Sequence, residues 1–247
     1  MQPEIVSELL RLNHEFYQTF ADHFSATRQR LQSGVIQAVN TIPHNARLLD
    51  LGCGNGLLAA HLHNNGHIGP YTGIDTASNL IEIAKKQQIP NTRFKVADLA
   101  KSDWDADLEA GSFDYILCFA VMHHLPGRSL RVQFLEKVHN LLAHDGRFIF
   151  SNWQFLESER LRERIVPWDR IGIQQDTVDD HDYLLDWRRG GDGLRYVHYY
   201  TNQELNALAE TSAFNIQGLY TSDGENGKLG LYHIWAAKTP IRNHRSE

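Results

Sequence analysis

In Leu48-Leu49-Asp50-Leu51-Gly52-Cys53-Gly54-Asn55-Gly56, three glycines stand at alternate positions behind an apolar run. That pattern suits a nucleotide-like cofactor. Glycine adopts backbone angles that side chains disfavour, and it lets a ligand come close to the main chain. A helix beginning near Leu57 would point its free N–H groups toward the same turn. The spacing differs from the dinucleotide fingerprint G-x-G-x-x-G, in which the third glycine falls one residue later. An acid, Asp75, closes the run Tyr71-Thr72-Gly73-Ile74-Asp75, 19 positions beyond Gly56. At that distance a carboxylate can accept from both hydroxyls of a ribose. A second acid, Asp98, stands near the end of Arg93-Phe94-Lys95-Val96-Ala97-Asp98-Leu99.

These residues need a sheet to position them. The apolar runs at Leu48–Leu51, Tyr71–Asp75, Arg93–Leu99, Phe113–Ala120 and Arg147–Asn152 read as five strands in order, with helical stretches between them. Strands alternating with helices predict a parallel sheet in an α/β fold. Apart from Asp114 the fourth run is apolar, as expected for a strand buried on both faces. Leu130 to Leu142 reads as a helix, followed by a His144-Asp145-Gly146 turn. Residues 4 to about 40 read as mostly helical, with Ile5, Leu9, Leu12, Phe16 and Phe20 at helical spacing. Asn202 to Thr211 reads as a helix with Thr201 as N-cap and Glu204 completing a capping box. Phe214–Thr221 and Leu229–Ala237 read as an antiparallel hairpin around a polar turn.

The loop with its preceding Asp50 resembles motif I of the class I S-adenosylmethionine (SAM) methyltransferases. The resemblance implies a Rossmann-like sandwich with a mostly parallel seven-stranded sheet that ends in an antiparallel hairpin and carries helices on both faces. It also implies SAM as cofactor and S-adenosylhomocysteine as product. Asp50, Gly52, Cys53, Gly54, Asn55 and Gly56 would form the loop around the methionine part, and Asp75 would take the ribose. Asp98 and Leu99 would meet the adenine, and Phe119 would begin the segment facing the methyl donor.

The chain has 247 residues, 42% hydrophobic and 22% charged, which suits one α/β domain and excludes a disordered chain. No apolar run is long enough for a membrane span, and the N-terminus lacks a signal-peptide pattern. Cys53 and Cys118 are expected to be reduced thiols of a cytoplasmic protein. One domain over 1–247 is expected: a helical cap at 1–45, the SAM-binding core at 46–152, a substrate lid inserted at 153–195, and a helix with hairpin at 196–238. The net charge of −6 argues against a general nucleic-acid coat. Arg160, Arg162, Arg164, Arg170, Arg188, Arg189 and Arg195 leave two readings open, a local basic patch or a solvated surface with interleaved acids. No metal is expected. The adjacent His123 and His124 do not readily converge on one ion, and His61, His63 and His67 lie on a helix where i, i+2 neighbours diverge.

Other segments narrow the resemblance. Asp22-His23-Phe24-Ser25-Ala26-Thr27-Arg28, Ala120-Val121-Met122-His123-His124, Asn152-Trp153-Gln154 and Arg195-Tyr196-Val197-His198-Tyr199 resemble segments of the methyltransferases that esterify carboxymethylated wobble uridine in tRNA. That resemblance implies a tRNA substrate. It makes Arg28, His123 and His124 candidates at the reacting group, and Trp153, Arg195, Tyr196, His198 and Tyr199 candidates on the substrate side. Some members of that family work with a small activating subunit. The chain departs from the family after Arg28, where Gln29-Arg30-Leu31 replaces a Trp-Pro, and at His144-Asp145-Gly146, where the family has Pro-Gly-Gly. The competing expectations are a small-metabolite methyltransferase with 153–195 as its lid, and a SAM-binding partner protein without turnover.

Overall fold

The computed structural model describes residues 1–27, 30–188 and 191–238, with backbone alone at 21–27. Two helices come first, α1 (Pro3–Thr27) and α2 (Ser33–Val39). The alternating units follow: β1 (Leu48–Leu51), α3 (Leu57–Asn64), β2 (Tyr71–Asp75), α4 (Ser78–Lys86), β3 (Thr92–Val96), β4 (Phe113–Phe119), α5 (Arg128–Leu141) and β5 (Leu142–Trp153). Next come α6 (Glu159–Arg162) and the strands β6 (Ile165–Val166), β7 (Asp182–Trp187) and β8 (Gly193–His198). The described chain closes with α7 (Asn202–Thr211), β9 (Phe214–Ser222) and β10 (Gly230–Ala237).

The main sheet has seven strands in the order β3-β2-β1-β4-β5-β10-β9. β1 pairs in parallel with β2 and β4, while β10 runs antiparallel to β5 and β9. Side-chain alternation divides the core between the two faces. Leu49, Leu51, Ile116, Phe148 and Phe150 pack with Phe134, Leu135, Leu205 and Leu208 from α5 and α7. Leu48, Leu117 and Ile149 pack on the other face with Val35, Val39, Leu58 and Leu62 from α2 and α3. No helix among the described residues is long and apolar enough to cross a membrane.

Three expectations need adjustment. The His144-Asp145-Gly146 turn lies inside β5, which already begins at Leu142. Pairing with β4 breaks after Phe113↔Leu142 and resumes at Tyr115↔Arg147, and Asp145 takes φ 65 in the irregular stretch between. Residues 153–195, expected as a substrate lid, carry regular structure of their own. β6, β7 and β8 make their own three-stranded antiparallel sheet, and β8 runs across the expected 195/196 boundary. The ladder explains this, because Leu184↔Tyr196 and Asp182↔His198 continue the pairing beyond Arg195. The capping box is one-sided: Thr201 accepts from the Glu204 N–H, but the Glu204 carboxylate is drawn to Arg131 and His198 instead.

Candidate active site

The glycine loop is held from below and open above. The N–H groups of Gly52 and Cys53 both donate to the Ile74 carbonyl, at 2.7 and 3.0 Å, tying the loop to β2. Gly52, Gly54 and Gly56 all have positive φ, at 82, 55 and 80°. A Cβ on Gly52 would lie 2.2 Å from Val121 Cγ2, and one on Gly56 would lie 2.9 Å from Ala84 Cβ. A Cβ on Gly54 would meet no atom within 4 Å. The outer glycines therefore permit close packing, while the middle one faces the space a ligand would use.

The Asp75 carboxylate is locked to this loop. Oδ2 accepts from the Gly54 N–H at 2.8 Å, and Oδ1 accepts from the Ala77 N–H at 2.9 Å. Burial pushes its pKa up, opposed by the backbone donors at Ala77, Gly54 and Thr76. Asp50 sits deeper, within β1, where it accepts from the Tyr71 hydroxyl. Burial is the main cause that raises its pKa to about 7. The residue is 3% exposed, at the end of β1 where the loop begins. Cys53 is buried in the loop, and burial pushes its thiol upward. Asn55 caps the first turn of α3 by accepting from Leu57 N–H at 3.3 Å. Asp98 accepts from Ala100 N–H at 3.0 Å beside buried Leu99. Phe119 is half-buried with its ring centroid 6.2 Å from that of Tyr232. Next to it, Ala120 takes φ 58 and donates its N–H to the Ser151 carbonyl. These residues fit SAM: open main chain at Gly54 for the amino-acid part, an oriented carboxylate at Asp75 for the ribose, and a second acid at Asp98.

A second group of side chains gathers beyond β4 and β5. His123 is buried, and its Nδ1 accepts from the Trp153 N–H at 3.4 Å. His124 joins three elements: its Nε2 accepts from the Tyr17 hydroxyl at 2.6 Å, and its Nδ1 donates to the Tyr196 carbonyl at 3.2 Å. That pattern assigns the Nδ1–H tautomer. Asn13 completes the tie, accepting from Tyr196 N–H at 2.8 Å and donating to Tyr196 O at 3.1 Å. Arg195 is only 7% exposed. Its guanidinium carbon lies 4.6 Å from the Trp153 ring centroid, 5.4 Å from Phe16 and 5.6 Å from Trp187. Its Nε has no hydrogen-bond partner, and among the described residues no carboxylate forms an ion pair with it.

The remaining expected residues fall in different places. Tyr196 is fully buried, so its ring offers no face for a base to stack on. Its hydroxyl donates to Asp182 Oδ1 at 2.7 Å and accepts from Arg131 at 2.9 Å. His198 is buried between Asp182 and Glu204, at 2.6 and 2.8 Å, with no path to a substrate. Tyr199 is half-buried, edge-on to Phe155, and burial raises its phenol pKa. Arg28 lies outside the described residues. Three of the seven late arginines have polar partners: Arg164 and Arg188 pair with Asp186, and Arg162 donates to the Leu156 carbonyl. Between 153 and 198, seven arginines stand against ten carboxylates. Sequence reasoning missed Asn13, Tyr17, Arg131, Asp182 and Trp187. A charge on the apolar stripe Arg131-Phe134-Leu135-Val138 was the available signal for Arg131. Among the described residues, no group of three His, Cys, Asp or Glu could hold a metal ion.

A family model described as a methyltransferase domain matches residues 23–218. The tRNA (carboxymethyluridine(34)-5-O)-methyltransferase of Schizosaccharomyces pombe is 25% identical over 218 residues, covering 82% of this chain and 88% of that protein. The tRNA (carboxymethyluridine(34)-5-O)-methyltransferase ALKBH8 of Macaca fascicularis is 29% identical over 155 residues, covering 61% of this chain. The aligned part spans only 22% of that larger protein. Among solved structures, the DhpI complex with S-adenosylhomocysteine superposes with a TM-score of 0.65 at 18% identity, covering 93% of this chain and 97% of that one. The Haloferax volcanii complex of the Trm112 methyltransferase activator with a methyltransferase gives 0.67 at 13% identity, covering 92% and 97%. At these identities the structural likenesses speak for the fold, and the family match covers most of the sequence. The chain belongs to the methyltransferase domain family and has the fold of the class I SAM-dependent methyltransferases.

Proposed function

We propose that this protein methylates the carboxylate of a carboxymethylated wobble uridine in tRNA, with SAM as donor. The observation that carries the reading is Arg195, a buried cation stacked on aromatic rings beyond β4 and β5, with an unpartnered Nε and, among the described residues, no ion pair. A buried charge is costly without a counter-charge. A guanidinium binds a carboxylate through paired hydrogen bonds. A carboxylate nucleophile is an anion at neutral pH, so the site needs no general base, consistent with His123 and His124 both being engaged in structural bonds. When bound, SAM supplies a methyl group already activated by its positive sulfur. The chain's own residues then bind, align and exclude water. Asp75 and the loop hold the donor, Arg195 holds the acceptor, and Trp153 adds an aromatic face beside it. The names of the fungal and macaque relatives support the substrate. The Haloferax complex supports a small activating subunit as partner. Two free, buried cysteines agree with a cytoplasmic setting.

A second reading rests on the excess of carboxylates over arginines between 153 and 198, which favours a small carboxylate metabolite over a polyanion. The deciding experiment is transfer of labelled methyl from SAM to bulk tRNA from cells lacking this protein, with and without a small activating subunit, followed by nuclease digestion and mass analysis. The expected product is a methyl ester of carboxymethyluridine. No incorporation under either condition, with SAM binding intact, would favour the metabolite.

A further inference from the structure

Arg131, Asp182, His198 and Glu204 form a closed ring of charges that the methyl-transfer chemistry does not use. Arg131 is 1% exposed and lies in α5 on the core side. Its guanidinium donates to Glu204 at 3.1 Å and to Asp182 at 3.4 Å, while its Nε donates to the Leu125 carbonyl at 2.9 Å. His198 faces Asp182 with Nδ1 and Glu204 with Nε2. Each carboxylate therefore has both the Arg131 guanidinium and the His198 imidazole within hydrogen-bond distance, and the polar atoms of the ring are paired. That is the condition under which buried charges are tolerated.

The ring spans the turn after β4, α5, β7, β8 and α7. Tyr196 joins through its hydroxyl, and the Tyr200 hydroxyl donates to the Met122 carbonyl at 3.1 Å just before His123. Strand geometry supplies the functional link. Tyr196 and His198 stand two residues apart and face the charge ring, so Arg195 points to the opposite side of β8, toward Trp153, Trp187 and Phe16. A one-residue slip of β8 would bring Arg195 into the charge ring and carry Tyr196 out of it.

We propose that the Arg131–Asp182–His198–Glu204 ring is a positioning device that sets the register and seating of β8, and thereby holds Arg195 where the acceptor carboxylate must bind. The proposal rests on the acceptor role assigned to Arg195 above. His198 and Tyr196 then belong to the support of the site, without contact to substrate. The Asn13 and His124 bonds to the backbone of Tyr196 pin the same strand from α1 and the turn after β4.

The test compares the intact protein with Glu204→Gln, which keeps shape and an oxygen for Arg131 but removes the charge facing His198. Asp182→Asn is the stronger second variant. Two-dimensional NMR of the arginine Nε–H groups reads Arg195 directly, with its signal assigned by its loss in Arg195→Lys. A protected Arg195 Nε–H signal is expected in the intact protein, with exchange about tenfold or more faster in folded Glu204→Gln. Unchanged exchange in both variants, with melting showing them folded, would overturn the proposal. In turnover, KM for tRNA should rise about tenfold while SAM affinity by calorimetry stays put. An equal loss of SAM affinity would make the ring a general stability element and also overturn it. If the intact protein methylates no tRNA, the functional reading fails, and the NMR comparison still decides whether the ring seats Arg195.

Discussion

Asp75 binds the loop with the same carboxylate that the ribose would need, since Gly54 and Ala77 each donate to one of its oxygens. Asp75→Ala should therefore weaken SAM binding by about 1–3 kcal/mol, the usual cost of unsatisfied buried polar groups. Calorimetry with SAM checks this, and unchanged affinity would remove Asp75 from the site. His233 permits a second prediction at this scale. It is buried against Phe150 and accepts from the Trp235 indole N–H at 3.2 Å. Burial lowers its pKa to about 4 from an ordinary 6.5. Below pH 6.5 the unfolded chain takes up a proton that the native state refuses, so stability present above that pH is lost on the way to pH 4. Between pH 7 and pH 4.5 this amounts to about 2 kcal/mol. Urea unfolding of the intact protein and His233→Phe should show their stability difference moving by that amount in favour of the variant. A pH-independent difference would count against the assignment. The residue types in the glycine loop were legible in the sequence, but the roles of Tyr196 and His198 were not. Motif resemblance says which residues recur, and only packing says whether they face a ligand or the interior.

At the scale of elements, the three loop glycines separate into two kinds. Gly52→Ala must force a side chain into a left-handed backbone, at about 1–2 kcal/mol, and also drive its Cβ into Val121. Gly54→Ala carries similar strain and meets no protein atom. Thermal unfolding should show Gly52→Ala destabilised well beyond Gly54→Ala, with Val121→Ala in the same chain restoring part of the loss. SAM titration should show Gly54→Ala weakened about tenfold or more even though it folds. Equal stability of the two glycine variants would refute the distinction. The parallel units, the closing hairpin and the Thr201 cap were readable because each depends on local pattern. The small sheet was not, because β6 is only two residues long and the inward positions of β7 and β8 include polar residues, such as Asp182 and His198, that interrupt a strand-like hydrophobic alternation. The second half of the capping box failed for a related reason. Glu204 is bound more strongly by a buried arginine and imidazole than by its own helix start.

On the scale of the whole molecule, charge sets how a polyanion can be held. The chain carries a net −6, and several of the arginines near the second sheet are bound to acids or carbonyls. Among the described residues near that sheet, Arg162, Arg164 and Arg188 are thus already engaged. If the chain alone binds tRNA, the slope of log affinity against log salt should have a magnitude below about 3, since each neutralised phosphate contributes about 0.7–0.9. Fluorescence anisotropy between low and moderate salt measures it, and a slope of 5 or more would show that many more phosphates are neutralised than this charge balance implies. The sequence by itself determined the Rossmann-like order of strands, the cofactor loop and the acid that follows it. Each is written in a contiguous stretch whose hydrophobic period and glycine spacing act locally. Tertiary structure alone decided that Asp50 is bonded to Tyr71, that Arg195 is caged by Phe16, Trp153 and Trp187, and that four ionisable groups more than seventy positions apart at their extremes close into one ring. Such groupings arise when helices and sheets pack, and burial then selects which polar groups find partners and which stay open to a ligand.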